Sequence, residues 1–144
     1  MILDLPLIEQ TKDYDCGHAV YSCVCSYWLA KAKKVTADPL IGFHPFQLEP
    51  TLRQTGFLVQ SGSMDIDDLR HHCNLYRPVI CNITSKGGGH YIVVAGVSRG
   101  FVKYMDPTPG EIVSMRVDDF KASWLDIDRN ANIFRRYGIA VWME

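Results

Sequence analysis

An α+β fold is what this chain predicts, on three observations: one broad helical stripe near its start, a change of hydrophobic period after residue 77, and strong turn signals between the short apolar runs that follow. Helices come first and an antiparallel meander second, so a helix-bearing N-terminal part is expected to pack on a C-terminal antiparallel sheet.

From Cys16 onward, Ala19, Val20, Cys23, Val24, Tyr27 and Trp28 recur at helical spacing, which predicts a helix over 16–33 with one buried face. Asp13 or Asp15 can cap its start, and Lys31, Lys33 and Lys34 close its end, where cations complement the helix dipole. Residues 36–64 are interrupted by Pro39, Pro45 and Pro50. Pro50 fits the first turn of a short helix that ends before Gly56, and Phe57 to Gln60 reads as a short extended piece. A firmer helix is expected near Asp65 to Asn74, with Ile66, Leu69 and Cys73 on one side and an acidic first turn.

The period then shortens. Strands are expected over 78–84, 90–97, 101–106 and 111–116, separated by Gly87-Gly88-Gly89, Ser98-Arg99-Gly100 and Pro107-Thr108-Pro109-Gly110. A short helix over 117–124 and a closing strand over 137–143 complete the reading, with no internal repeat or linker.

The 144 residues fit a single domain, 1–144, with 47% hydrophobic and 22% charged content. A chain of this size buries about two-thirds of its unfolded surface and holds a core without metal or disulfide staples. The formal net charge of −1 speaks against a nucleic-acid surface. The N-terminus lacks the pattern of a signal peptide, and no apolar run is long enough to insert in a membrane. Five cysteines, an odd number without a Cys-x-x-Cys pair, fit neither a zinc site nor a secreted disulfide framework, so the expected location is cytoplasmic.

Three positions carry chemistry together. A thiol acts as a nucleophile in its thiolate form, which a helix N-terminus and a neighbouring imidazolium both favour. Cys16 stands where the main helix begins, followed by the uncrowded backbone of Gly17, whereas Cys23 lies on the buried stripe. His90 opens a strand directly after three glycines and is the expected base. Asp106 ends the following strand, and a hairpin 90–97/101–106 returns it towards His90 to hold the second ring nitrogen.

The segment Gln10-Thr11-Lys12-Asp13-Tyr14-Asp15-Cys16-Gly17-His18-Ala19 resembles the cysteine motif of the bacteriocin-processing, double-glycine-leader peptidases, which are papain-like domains usually fused to an export transporter. Gly89 to Val97 resembles their histidine motif, Met105-Asp106-Pro107 with Gly110 their aspartate motif, and Phe120 with Trp124 a common aromatic pair. Gly56-Phe57, Leu69 and Pro78-Val79-Ile80 fall in similar order, so the likeness spans nearly the whole chain. It implies a papain-like fold and gives Gln10 a role: its side-chain amide, with the backbone N–H of Cys16, would form the oxyanion hole. One such donor is worth on the order of 3 kcal/mol of transition-state stabilisation.

The expected activity is therefore peptide-bond hydrolysis by thiolate acyl transfer, after small residues of the Gly-Gly type, in a peptide or protein substrate. Within 144 residues there is room for neither a transporter nor an ATPase. The expectation is a stand-alone peptidase, with a separate transporter or assembly as its possible associate. A cysteine amidase acting on cell-wall peptide, and a non-catalytic peptide-binding or structural module of the same fold, are the alternatives.

No cofactor or metal is expected. His71-His72-Cys73 are adjacent on a helix and point apart. Asp65, Asp67 and Asp68 lack the further ligands and closing Glu of a calcium loop. The three glycines lead into a strand, not the helix of a phosphate loop.

Overall fold

A computed structural model describes residues 1–12, 14–32, 44–85, 88–127 and 130–144. Its elements run α1 (Cys16–Tyr27), α2 (Pro45–Thr55), β1 (Leu58–Ser63), α3 (Ile66–Asn74), β2 (Val79–Ser85), β3 (Gly88–Ser98), β4 (Phe101–Asp106), β5 (Glu111–Arg116), α4 (Val117–Ser123), β6 (Leu125–Ile127), β7 (Ile133–Arg135) and β8 (Tyr137–Trp142). The α+β class holds, with α1 and α3 both packed on β3.

α1 stops well before the expected residue 33. Leu29 turns to a positive φ of 56°, its N–H donates to the Ser26 carbonyl at 3.2 Å and the Ala30 N–H to the Cys25 carbonyl at 2.8 Å. This is the bond pair of a Schellman cap, which ends a helix sharply. The lysines therefore do not close it: Lys31 is exposed beyond the helix end, and Lys33 and Lys34 lie outside the described residues. Asp15 is the N-cap residue, but its side chain makes no capping bond; its carboxylate accepts from the Thr11 hydroxyl at 2.9 Å instead. Asp13 lies outside the described residues.

α2 starts at Pro45, not Pro50. His44 Nδ1 caps it by accepting from the Phe46 N–H at 3.0 Å, and Pro45 takes the first turn while Pro50 sits inside the helix. Gly56 ends it in the left-handed region at φ 109°, as its position predicts. β1 runs three residues beyond the expected extended piece. α3 opens with a reciprocal capping box, in which Asp65 and Asp68 each accept the other's backbone N–H at 2.8 and 2.9 Å.

The six-stranded sheet has the order β1-β8-β2-β3-β4-β5, all neighbours antiparallel. The meander β2 to β5 follows the turn signals. The closing strand β8 returns to lie between β1 and β2, and a small hairpin of β6 and β7, absent from the sequence reading, sits beside the main sheet. Side chains alternate along a strand. His90, Ile92 and Val94 thus share one face with Ile83, Cys81 and Val79, and Gly89, Tyr91 and Val93 share the other with Thr84, Asn82 and Ile80. Both faces are covered, so every residue of β3 from His90 to Val97 is buried. Among the described residues no helix is long and apolar enough to cross a membrane.

One irregularity in β3 positions the site. Its pairing with β4 starts at Ser98↔Phe101 and slips by one residue between Val94 and Gly96. Left unslipped, the hairpin would set Asp106 opposite Val93, on the face away from His90. The bulge at Ala95 moves it opposite Ile92, onto the His90 face, because a one-residue slip exchanges the faces of every later side chain. The Leu3 N–H satisfies the carbonyl of Ala95 at 2.8 Å. Gly96 lacks a Cβ because one would stand 2.3 Å from the Met1 carbonyl oxygen.

Candidate active site

Cys16 is the first helical residue of α1, a free and half-buried thiol. The other four cysteines are free and buried. Burial, with Cys25 alongside, pushes the Cys23 thiol up to about 12, and burial takes Cys73 to about 12 as well. Cys25 is raised and Cys81 raised further, again chiefly by burial. These four are core residues in which the thiolate is suppressed.

His90 is the third residue of β3 and does not open it, since Gly88 and Gly89 already belong to the strand. Its Nε2 lies 2.7 Å from Asp106 Oδ1, the two side chains being only 11% and 20% exposed. The ring nitrogen left over is Nδ1, and the Cys16 side chain is near enough to act on the charge of the imidazole. Burial disfavours the charged ring, but the Asp106 carboxylate and the Cys16 sulfur outweigh it and push the pKa up to about 9. Burial likewise lifts Asp106, yet the imidazole and the Thr108 backbone N–H hold its carboxyl below the usual range. The favoured state of the pair is therefore an imidazolium on a carboxylate.

Gln10 is tied to the same neighbourhood. Its backbone N–H donates to the Pro107 carbonyl at 2.8 Å, next to Asp106. Its Nε2 donates to the Lys12 carbonyl at 2.9 Å, and that carbonyl also accepts the Asp15 N–H at 3.0 Å. Gln10 is thus linked through one oxygen to the turn that leads into Cys16. A primary amide carries two N–H groups, so one remains for a ligand. Gln10 Oε1 is buried without a hydrogen-bond partner.

Two groups escaped the sequence reading. Thr108 donates its N–H to Asp106 Oδ1 at 3.0 Å and sets its hydroxyl 3.4 Å from His90 Nε2; the Pro-Thr-Pro-Gly turn signalled a bend there but not its direction. Behind β3, the buried Asn82 donates to Asp126 at 2.9 Å, and a Cβ on Gly89 would stand 2.5 Å from the same carboxylate. The Asn82 bond and the bond from the Thr84 hydroxyl to the Leu125 carbonyl fix β6 against β2, and the close approach at Gly89 sets it beside the strand that carries His90. Nothing in the local sequence around Asp126 marks it. On α3, His72 and Cys73 face the core while His71 is exposed, and the His71 and His72 rings meet edge to face with centroids 5.6 Å apart.

A half-buried thiol at a helix start and a buried His–Asp pair on this α+β frame are the groups that the chemistry of a cysteine peptidase calls for. A model of the Peptidase C39 family matches residues 4–127, and the chain belongs to that family. Solved structures agree on the fold. The peptidase domain of Streptococcus ComA, a bifunctional ABC transporter of a quorum-sensing pathway, superposes with a TM-score of 0.73 at 20% identity, covering 96% of this chain and 98% of that one. A double glycine motif protease from an AMS/PCAT transporter, solved with its leader peptide, gives 0.73 at 16% identity over 97% and 92%. The peptidase domain of Streptococcus mutans ComA gives 0.67 at 22% identity over 95% and 98%. No curated protein matches the chain.

Proposed function

We propose that Cys16, His90 and Asp106 are the catalytic triad of this peptidase, with Gln10 and the Cys16 backbone N–H as its oxyanion hole, and that it cleaves after a Gly-Gly pair in a leader or precursor peptide. The observation that carries the reading is the 2.7 Å bond between His90 and Asp106 on an imidazole whose charge the Cys16 side chain also favours. The resemblance of the Gln10–Ala19 and Gly89–Val97 segments to double-glycine peptidases supports the substrate class, as does the leader-bound protease among the structural relatives.

The thiolate of Cys16 attacks the scissile carbonyl carbon, and the negative charge that develops on oxygen meets the free Gln10 N–H and the Cys16 N–H. His90 gives its Nδ1 proton to the leaving amine as the C–N bond breaks, leaving a thioester on Cys16. The neutral ring then takes a proton from water, hydroxide attacks the thioester, and the carboxylate product leaves with the thiolate restored. Asp106 keeps Nε2 protonated throughout, so the same nitrogen faces the sulfur at each step. Five free thiols support work in a reducing, cytoplasmic compartment, with an export transporter as the associate that would present the precursor.

The test is cleavage of a synthetic peptide with a central Gly-Gly followed by a small residue, read by mass spectrometry. Wild-type protein should cut after the second Gly, and Cys16→Ala should cut nothing while keeping the circular dichroism spectrum and unfolding midpoint of the parent. Turnover by Cys16→Ala at the wild-type rate would sink the assignment.

A further inference from the structure

The Pro107-Thr108-Pro109-Gly110 turn does more than reverse the chain between β4 and β5. Thr108 contacts both members of the buried pair: its N–H donates to Asp106 Oδ1 at 3.0 Å, and its hydroxyl oxygen lies 3.4 Å from His90 Nε2. Asp106 ends its strand and is only half buried, so without Thr108 its side chain could swing to water. With a proline on each side, the Thr108 backbone has little freedom of its own, and the Gly110 N–H locks the turn by donating to the Asp106 carbonyl at 2.9 Å.

We infer that Thr108 is a positioning residue of the active site, whose N–H clamps the Asp106 carboxylate while its hydroxyl closes the Nε2 side of His90, so that the ring is held with Nδ1 left for Cys16. The inference rests on the reading of His90 and Asp106 as catalytic and adds a fourth side chain to them. The hydroxyl completes the ring's surroundings where the carboxylate alone leaves one flank open. It touches neither the thiol nor, by this geometry, the scissile bond, so it acts only through the pair.

Thr108 is exposed, so Thr108→Val removes the hydroxyl at nearly constant shape and retains the backbone N–H. Thr108→Ser restores the hydroxyl. Two readouts are needed: the imidazole titration of His90 by NMR, assigned with His90→Ala, and kcat/KM on the Gly-Gly peptide across pH. Loss of one hydrogen bond to the charged ring should make His90 titrate about half to one pH unit lower in Thr108→Val. Its kcat/KM should fall about three- to tenfold, with the alkaline limb displaced in the same direction. Thr108→Ser should return both to wild type. A Thr108→Val protein with unchanged His90 titration overturns the inference, as does a loss of activity that Thr108→Ser fails to rescue. If His90→Ala itself cleaves at the wild-type rate, the catalytic reading falls, and the titration still decides whether Thr108 holds the pair.

Discussion

His90 holds opposing influences in one side chain. Burial pulls its pKa down, and Asp106 and Cys16 together push it up to about 9. A ring whose folded pKa is raised above the free value of about 6.5 stabilises the fold fully below that value, and loses this contribution as pH rises through about 9. The shift sets an upper bound of about 3 kcal/mol. Asp106→Asn removes the charge that holds the imidazolium, so it should unfold more easily than wild type at pH 6 to 7. The gap between the two should narrow as pH climbs through 9, read by urea denaturation at each pH. Wild-type kcat/KM should lose its alkaline limb near pH 9, and that limb should move down in Asp106→Asn. Cys16, His90, Asp106 and Gln10 could be picked out of the sequence because a helix start, a strand and a turn mark them, or because the family motif does. Thr108 and Asp126 could not, since their importance comes only from where distant segments meet.

Single elements were legible where their signals are local. Gly56 and the Asp65–Asp68 box end and begin helices at the residues their chemistry dictates, whereas α1 ends at a Leu in the left-handed region that no pattern announces. Leu29 is 93% exposed and makes its turn without the freedom of glycine. Leu29→Gly should therefore stabilise the protein by about 1 kcal/mol, read as a higher thermal midpoint. The bulge in β3 is a harder case. Gly96 within a strand hints at an irregularity, yet its consequence, Asp106 on the His90 face, needs the whole β3–β4 register. Gly96→Ala forces a methyl against the Met1 carbonyl and the Ile2 side chain. It should cost about 1–3 kcal/mol in urea denaturation and depress kcat more than KM, because the register that aligns the pair is disturbed.

For the molecule as a whole, the order of helices and then a meander gave the class, since hairpins pair neighbours and turn residues mark them. The insertion of β8 between β1 and β2 was not legible, because pairing between segments as distant as Leu58 and Trp142 leaves no local trace, and the β6–β7 hairpin was missed because its strands are only three residues each. The same global packing sorts the cysteines. Four are sealed between the helices and the sheet, with relative exposures of 0–2%, and only Cys16 combines a helix start with access to reagent. The most direct test of the central claim is therefore iodoacetamide alkylation of the native protein at neutral pH, mapped residue by residue by mass spectrometry, in wild type and His90→Ala. The account predicts modification confined to Cys16 and slowed by about tenfold or more when the imidazolium is removed. A Cys16 that reacts no faster than the other four, or that is indifferent to the loss of His90, would contradict it.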